Sequence, residues 1–546
     1  MSAKKSNLLV PIGIGATFLI AGGAAGYLYL RGAFSDATTP LASAKVVPDE
    51  ALMTGYISTD PQTWSKLQQF GTPEAQNAIA KSLASFNQQA FTDSKIDFTK
   101  DVQPWLGSIM FAVLPPSTAE APSQPNYLVV VGIKDKISAF NFANKLKSQS
   151  GDKIKETDYK GVKIQEDTSN TEKTYTAILN DHLVISPQRK SVELAIDTFK
   201  GEPSLANKTE AKAMLSKGVD LPNSIAQIYI PDYGNLVKQY MATNPEFSQL
   251  PPESINQLKS FAMGVGIDNA GVRMKAIGTL NPSATLIEYK PSPGKVVAQF
   301  PLETIALISG HGISKVWSTV AEQSSKNPQL QQQLDQMRLQ VKTATELDLD
   351  RDIFGWMDGE FAVGAIASNE GILAPIGTGG AVVLQTSDRP TAEATLNKLN
   401  ALATQGNSVT INQRNVGGKT VTEWTIPQQG AWLSYGWLDD NSLLIAIGSP
   451  IFDAIASNSN SLESSESFKA IAGTLPKPNA GYFYLDVEKA MSAINRTLPP
   501  EQKNTVPPEA NAILNSIRGI GVTAMQPDAS TSEMQMLLAL KPKSGK

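Results

Sequence analysis

The sequence predicts an α+β protein with mainly antiparallel sheets, in which an N-terminal transmembrane helix precedes two tandem homologous units. Three observations support this prediction. They are a long apolar run near the N-terminus, a set of motifs that recurs about 253 residues further on, and short β-rich runs separated by polar turns. Consecutive strands with helices beside them favour an α+β fold over a regular parallel βαβ array.

The apolar run comes first in the chain. It spans the 23 residues from Leu8 to Leu30 without a charge. As a helix it would be about 35 Å long, which is enough for a hydrocarbon core of about 30 Å. The basic pair Lys4 and Lys5 is expected on the cytoplasmic side. A cleaved signal peptide is the alternative, but the small-residue site Ala42-Ser43-Ala44 lies well beyond the run. Residues 1–30 are therefore predicted to be a cytoplasmic tip and an uncleaved anchor.

Composition excludes several classes of protein. The 546 residues contain no cysteine, which excludes disulfides, thiolate metal sites and a cysteine nucleophile. The net charge is −4 and no block of lysine or arginine occurs. A nucleic-acid partner is therefore not expected, because such binders normally present a basic face.

Internal repetition defines the domain organisation. Trp64 and Trp317 are separated by 253 positions, and Trp105 and Trp356 by 251. The segment "YLVVVGIKDKISAFNFANKL" corresponds to "GAVVLQTSDRPTAEATLNKL", "LNDHLVIS" to "LDDNSLLIAIGS", and "PNSIAQIYIPD" to "PNAGYFYLDV". The predicted divisions are a flexible stalk (31–47), a first α+β unit (48–286), a linker (287–299) and a second α+β unit (300–543).

Each unit contains the same predicted elements in the same order. The strands "LMTGYIS" and "TIALISG" are followed by the helical stretches "EAQNAIAKSLASFNQQAF" and "NPQLQQQLDQMRLQVK". Two more β-rich runs follow in each unit, then a helix ending at "NKL". The runs "VKIQEDT", "KTYTAILND" and "HLVIS" predict a meander of strands.

One repeated motif invites a chemical interpretation. It reads "DFTKDVQPWLG" from Asp97 and "DLDRDIFGWMDG" from Asp348. The alternating aspartates of the second copy suggest a calcium loop, but an EF-hand needs Gly sixth and Glu twelfth, where Ile353 and Gly359 stand. We therefore predict a structural motif: an aspartate caps a short helix, the tryptophan is buried, and a glycine closes the helix before a strand.

The remaining polar features do not define a reaction. The two histidines, His182 and His311, occupy non-equivalent places in the two units, and a solvent-exposed turn position is expected for His182. A three-histidine zinc site is impossible with two histidines. The glycine clusters Gly264–Gly271 and Gly377–Val383 lead into strands rather than opening a helix over a phosphate.

Structural roles are also expected for an acidic pair and for the aromatic residues of the second unit. The pair Asp439-Asp440 is expected at a surface turn. The aromatic residues of the second unit are expected to pack in a core or across strands rather than to form a ligand platform; they are Trp424, Trp432, Tyr435 and Trp437. The sequence thus assigns no catalytic, cofactor-binding or metal-ligating residue.

The anchor, the "DVQPWLG" and "DIFGWMDG" motifs, the "LVVVGIKDKISAFNFANKL" segment and "LNDHLVIS" together carry a resemblance. The chain resembles a membrane-anchored bacterial family known only as a domain of unknown function, frequent in photosynthetic bacteria. The second copy departs from the motif, with Met357-Asp358 in place of Leu-Gly. The resemblance implies an N-terminal helix and a long extracytoplasmic region, and it implies no catalytic residues.

The predicted function follows from duplication without a convergent reactive set. We expect a single-pass protein of the inner or thylakoid membrane whose bulk lies in the periplasm or lumen. There it would be a non-enzymatic binding, assembly or scaffolding factor with protein partners in or near the membrane. The alternatives are an envelope hydrolase with dispersed carboxylates and a carrier that encloses an apolar ligand between sheet and helices.

Overall fold

The chain divides into two units, each with its own antiparallel sheet. The computed structural model describes residues 39–78, 81, 97–116, 126–150, 154–168, 173–243, 257–282, 290–325, 327–405, 409–457, 460–497 and 507–543. Unit 1 comprises Met1–Ala284, Ala529–Ser532 and Pro542–Lys546, and unit 2 comprises Thr285–Asp528 and Glu533–Lys541.

Ten strands form the sheet of unit 1. They are β1 (Met53–Ser58), β2 (Leu106–Val113), β3 (Tyr127–Ile133), β4 (Ile154–Tyr159), β5 (Val162–Asp167), β6 (Thr174–Leu179), β7 (His182–Ser186), β8 (Ser224–Ile230), β9 (Leu258–Ile267) and β10 (Gly271–Leu280). The helices are α1 (Pro40–Ser43), α2 (Pro61–Ser65), α3 (Lys136–Ser150), α4 (Arg189–Phe199), α5 (Thr209–Lys217) and α6 (Tyr233–Thr243). Neighbouring strands are antiparallel, in the order β4-β5-β6-β7-β3-β2-β1-β8-β9-β10.

Unit 2 is built from β11 to β20. Its strands are β11 (Thr304–His311), β12 (Glu360–Ala367), β13 (Thr378–Gln385), β14 (Thr410–Val416), β15 (Lys419–Ile426), β16 (Gly430–Trp437), β17 (Ser442–Ile447), β18 (Tyr482–Asp486), β19 (Ile517–Asp528) and β20 (Thr531–Leu540). Its helices are α7 (Ile313–Ser324), α8 (Pro328–Thr345), α9 (Arg389–Thr404), α10 (Ser449–Ala456), α11 (Glu466–Ile471), α12 (Val487–Thr497) and α13 (Pro508–Ser516).

The strand order of unit 2 is β14-β15-β16-β17-β13-β12-β11-β18-β19-β20. Each strand of unit 2 therefore takes the place that the strand ten numbers lower takes in unit 1. The predicted mixture of helices with a large antiparallel sheet is confirmed.

The main core of unit 1 lies on one face of its sheet. It combines the inward residues of the strands with α4 and α5. Three residues assigned to the stalk belong to this core: Ala44, Val46 and Val47 are buried. The predicted stalk of 31–47 is therefore wrong at its end, because these side chains remove apolar surface from water by packing on the sheet.

Part of the predicted linker 287–299 packs into unit 2. Val296 and Val297 are fully buried. The carboxylate of Glu360, at the start of β12, accepts hydrogen bonds from Ser292 Oγ (2.8 Å), Gly294 N (2.7 Å) and Val296 N (3.4 Å). Because Glu360 is only 3% exposed, these neutral donors satisfy a carboxylate withdrawn from solvent.

Most predicted strands are observed within two or three residues of their expected ends, and β3 and β12 have the expected bounds. The helices predicted to end at "NKL" continue beyond it, to Ser150 and Thr404. In α9 the extension contains Ala401, Leu402 and Ala403, which have high helix propensity. Of the helix predicted over 74–91, residues 74–78 and 81 are described and helical.

The predicted anchor Leu8–Leu30 lies outside the described residues. In the part of the chain that the structure describes, no helix has the length and apolar character needed to cross a membrane.

Candidate functional site

The repeated aspartate motif forms a capped turn in unit 2. The Oδ1 atom of Asp348 accepts hydrogen bonds from the backbone N–H groups of Asp350 (3.0 Å) and Arg351 (2.9 Å). In return, Asp348 N donates to Asp352 Oδ2 at 2.8 Å. This reciprocal arrangement opens a π-helical turn over Leu349–Phe354. The predicted capping role is confirmed, and the turn is of π type rather than a regular α-helix.

Unit 1 builds the same turn over Phe98–Val102. Asp97 N donates to Asp101 Oδ2 at 2.8 Å, and Lys100 N donates to Asp97 Oδ1 at 3.2 Å. A hydrogen bond from Lys145 is the main cause that lowers the pKa of Asp101. The aspartates of both copies thus serve the turn and its neighbours.

The tryptophan of each motif is fixed by the turn that precedes it. Trp105 Nε1 donates to the carbonyl oxygen of Asp101 (2.8 Å), and Trp356 Nε1 donates to that of Asp352 (2.9 Å). Both side chains are buried. The motif is therefore structural in the two units.

The glycine at the end of the motif, which was expected to close this turn, does not do so in either unit, because the turn of unit 2 already ends at Gly355. Gly359 immediately precedes β12, whereas Gly107 already lies inside β2.

His182 is not solvent-exposed, contrary to expectation. It opens β7 with only 5% of its surface exposed, and its Nδ1 lies 2.9 Å from Asp181 Oδ1. Burial lowers the pKa of His182 more than the Asp181 carboxylate raises it. His182 is the first residue of the predicted strand "HLVIS", and its side chain is buried there although the residue adjoins a turn. His311, at the end of β11, lies opposite Glu360 in the register, in the other unit.

The aromatic residues of unit 2 pack against α9. Asn400 accepts a hydrogen bond from Trp424 Nε1 (2.7 Å) and donates to the Tyr435 hydroxyl (2.6 Å). The Arg389 guanidinium lies 4.3 Å from the Trp437 ring centroid. These contacts agree with the predicted packing role: Tyr435 is buried, and Trp424 and Trp437 are half-buried against the same cluster.

The other polar candidates are also structural. The first glycine cluster spans the hairpin from β9 to β10, and the second opens β13. Asp439 Oδ1 accepts from Asn441 N (3.0 Å) and Ser442 N (2.7 Å), which makes it a turn residue as expected.

Acid–base and metal chemistry find little support in the described ranges. Across these residues there is no group of three or more His, Asp or Glu side chains that could hold a metal ion. The described carboxyl groups whose pKa is displaced all have it lowered, with a hydrogen bond as the main cause; they are Glu74, Asp101, Glu166, Glu346 and Asp352. A glycosidase acid requires the opposite displacement.

An open groove of about 600 Å³ lies on unit 1 between β8 and the start of α5. Its charged groups have both signs and bond to protein: Lys208 Nζ donates to the Asp49 carbonyl at 2.5 Å. Nearby, Lys259 lies 2.6 Å from Glu210. The charges of Lys208 and Glu210 therefore already have protein partners.

The feature that best fits a binding surface lies on unit 2. On the sheet face turned away from Leu307 and Tyr484, two adjacent cross-strand rows are entirely apolar. The first row is Phe483, Ile308, Val363, Val382 and Ile445. The second row is Leu485, Ala306, Ala365 and Gly380, with Ile447 beside Gly380. We call these ten residues the outer apolar face.

Several of these side chains are open to solvent. Ile308 is 53% exposed, Val363 is 44% exposed and Ile447 is 48% exposed. A half-solvated antiparallel sheet normally presents polar residues to water. A contiguous exposed apolar patch instead marks an interaction site.

Helices set the limits of the outer apolar face. Beyond Val382 and Ile445 the sheet is covered by α9, whose Ala392 and Leu396 join a cluster with Trp356. On the other side α12 packs across β11, β18 and β19. Ile308 and Val363 lie in the interval that neither helix covers.

A cation stands at one end of the outer apolar face. Arg496, near the end of α12, donates from Nη1 to Asn369 Oδ1 at 2.9 Å, just beyond the end of β12. Its Nε donates to the Ser492 carbonyl at 3.3 Å. Both partners are neutral oxygens, so these contacts leave the guanidinium charge available to an anion.

Sequence reasoning missed this surface. The runs "TIALISG" and "EFAVGAIA" are apolar on both faces, which is typical of strands buried on both sides. Their composition was a signal of two apolar faces, but it does not reveal how far a helix covers each face.

Comparison with known proteins places the chain in a family. No curated protein matches the sequence. Among solved structures, crystal forms III and IV of TP0453 have 13% identity and TM-scores of 0.27, covering 44% of this chain and 80% and 81% of that protein. Crystal form I has 12% identity, a TM-score of 0.24 and coverage of 44% and 79%. These TM-scores are too low to indicate a shared fold.

The match to a protein family is extensive. The family model described as a protein of unknown function, DUF3352, matches residues 12–540. This match agrees with the resemblance found in the sequence motifs. The chain therefore belongs to the DUF3352 family, whose common domain has no assigned function.

Proposed function

We propose that this protein is a membrane-tethered binding factor for membrane or envelope components, built from two homologous units on the extracytoplasmic side. The outer apolar face carries the proposal, because Ile308, Val363 and Ile447 expose hydrocarbon that a solvated sheet would replace with polar groups. The uncharged run Leu8–Leu30 supplies the tether. The family match begins at residue 12, inside that run.

Several observations support the homology of the units. Their strand orders agree position by position, as described above. Each has a π-helical turn that begins after an aspartate and holds a buried tryptophan. Duplication of a scaffold multiplies surfaces for partners, which suits assembly or scaffolding better than a single reaction.

The outer apolar face also supports the carrier alternative, since an apolar surface between helices fits an apolar ligand. The hydrolase alternative is not proposed, because the carboxyl groups with a displaced pKa among the described residues all have it lowered.

The tether is tested with membranes that contain the full chain. After an alkaline carbonate wash we expect the protein to stay with the membrane, and a variant without residues 1–30 to be released. As a control, replacing Leu8–Leu30 with an unrelated apolar transmembrane segment should restore retention. A full chain that washes off, or a mature chain that begins near Lys45, would contradict the tether.

Binding is tested by purifying the full chain from detergent-solubilised membranes. We expect envelope components to copurify, and Val363→Asp to reduce their recovery because it puts a charge on the outer apolar face. The matched control is Ile178→Asp, at a 56% exposed strand position of unit 1. Recovery of the protein alone, in every preparation, would count against a binding role.

A further inference from the structure

We propose that the outer apolar face of unit 2 holds an acyl chain of an anionic membrane phospholipid, with Arg496 at the headgroup end. This inference rests on the proposed membrane tether and deepens it, because it names the chemical class of the bound component. It follows from three features of the described residues. The side chains of the face are apolar, its backbone hydrogen-bonding groups are already paired within the sheet, and the cation Arg496 lies at one end.

The chemistry of the face matches hydrocarbon. All ten positions of its two rows are apolar, and no side chain there carries a hydrogen-bonding atom. The longer row lies on five adjacent strands, and its open part is the neighbouring pair Ile308 and Val363, because Val382 and Ile445 also pack against the cluster that includes α9. A surface of this kind recognises a ligand by apolar contact alone.

The backbone of the face also offers nothing to a polar ligand. Both β11 and β12 are paired along both of their edges, β11 with β12 and β18, and β12 with β11 and β13. Their N–H and C=O groups are therefore used within the sheet. An extended peptide laid on the face would leave its own buried backbone groups without partners, which is costly. An acyl chain has no such groups.

The charge at the end of the face favours an anionic headgroup. Arg496 lies where α12 reaches the loop after β12, and its two hydrogen-bond partners are neutral oxygens. A guanidinium is well suited to phosphate, since it presents paired N–H donors in a plane. The next cation along α12, Lys489, is committed to the carbonyl groups of Leu302 and Thr304.

The tether makes such a lipid available. Residues 31–38, between the anchor and the first described residue, span at most about 28 Å when extended. Unit 1 is thus held near the bilayer surface, and the chain is exposed to a high local concentration of lipid.

The test uses the full chain reconstituted in phosphatidylcholine vesicles that contain a trace of phosphatidylglycerol with a diazirine in one acyl chain. After irradiation, labelled peptides are mapped by mass spectrometry. We expect label in the peptides that contain β11 and β12, in addition to Leu8–Leu30. We expect Ile308→Asp to reduce the β11 and β12 label about fivefold, and Ile178→Asp, equally exposed but on unit 1, to leave it unchanged.

The headgroup is tested with a second probe, phosphatidylcholine carrying the same diazirine. Wild-type protein should be labelled at β11 and β12 more strongly by the phosphatidylglycerol probe, and Arg496→Gln should abolish that difference. Glu370→Gln is the control, because it removes a negative rather than a positive charge, from the loop that contains Asn369. This variant should keep the difference in labelling between the two probes.

The outcomes separate this inference from the tether. Label at β11 and β12 supports the lipid site even if Leu8–Leu30 is unlabelled, a result that would instead overturn the tether. Label confined to Leu8–Leu30 overturns the lipid site and leaves the tether standing. Equal labelling around Ile178 and Ile308 also overturns the lipid site, because the label would then depend only on the solvent exposure of each position. Ile308→Asp should keep the urea midpoint of the wild type, which excludes misfolding as the cause.

Discussion

At the scale of single residues, His182 shows how burial creates pH dependence. Its imidazole is enclosed at the start of β7 beside Asp181. Burial lowers its folded-state pKa, so the folded protein resists a proton that the unfolded chain accepts. Stability is therefore complete above the unfolded pKa of about 6.5 and falls as the pH drops below it.

We predict that urea denaturation, followed by tryptophan fluorescence, will show this loss between pH 7 and pH 5.5. For one proton the slope approaches but does not exceed about 1.4 kcal/mol per pH unit. His182→Leu should flatten the slope in this window. An unchanged slope in His182→Leu would show that other groups cause the dependence.

A second residue, Glu360, has a role that its sequence position does not suggest. It is a charged residue at the first position of an apolar strand, which is usually a solvated place. The structure instead buries it under the segment from Ser292 to Val296, whose donors satisfy its carboxylate. One side chain thus attaches the start of unit 2 to its sheet.

We predict that Glu360→Ala will lower the free energy of unfolding by about 3 kcal/mol, because buried donors lose their acceptor. Glu360→Gln keeps an acceptor oxygen and should cost about 1 kcal/mol. Urea denaturation measures both values, with Glu370→Ala, at an exposed position, as the control. If Glu360→Ala cost no more than this control, the anchoring role would be wrong.

At the scale of elements, the capped turn shows which part of a motif can be predicted. A cap depends on contacts within a few residues, so its sequence pattern is local and was recognised for Asp348. Hydrogen bonds outside the turn differ between the two units. Trp64 and Trp317 align in the two units, yet Trp64 Nε1 donates to the Ser58 carbonyl (2.7 Å) and Trp317 Nε1 to Asp350 Oδ1 (2.6 Å).

This difference leads to a prediction about equivalent positions. Trp105→Phe and Trp356→Phe each remove one hydrogen bond to the fourth preceding carbonyl and some buried volume. We expect each variant to lower the stability of its own unit by a similar amount, about 2 kcal/mol. Hydrogen exchange of the β2 and β12 peptides measures the two effects separately.

The aligned pair Trp64→Phe and Trp317→Phe is the contrast. Their hydrogen bonds go to a carbonyl and to a carboxylate, and hydrogen bonds to charged groups are the stronger kind. Unequal effects are expected here. If Trp105→Phe and Trp356→Phe were as unequal as this pair, the equivalence of the two units would lose support.

At the scale of the whole molecule, the strand order is the strongest indication of two related units. The sequence suggested them through tryptophans at near-constant separations, but no single motif pair was specific. The pairings of β1 to β10 and of β11 to β20 follow one scheme, and this scheme depends on contacts far apart in the chain. Family membership extends over both units and into the predicted anchor, since the match covers residues 12–540.

The sequence by itself determined the features that depend on neighbours along the chain. These are the strands and helices, the meander in each unit, the aspartate caps, the absence of cysteine and the uncharged run Leu8–Leu30. Each is encoded within a window of a few residues or in composition, so it could be predicted without knowledge of the fold.

Only the tertiary structure decided which surfaces are covered. His182 and Glu360 are buried, and Ile308 and Val363 are open, although their local sequences suggest the reverse. Exposure depends on where helices far along the chain come to rest, here α9 and α12 on either side of one sheet face. An apolar strand has the same sequence pattern whether its second face is packed or free. The pattern indicates a strand, but it does not indicate which elements pack on each face.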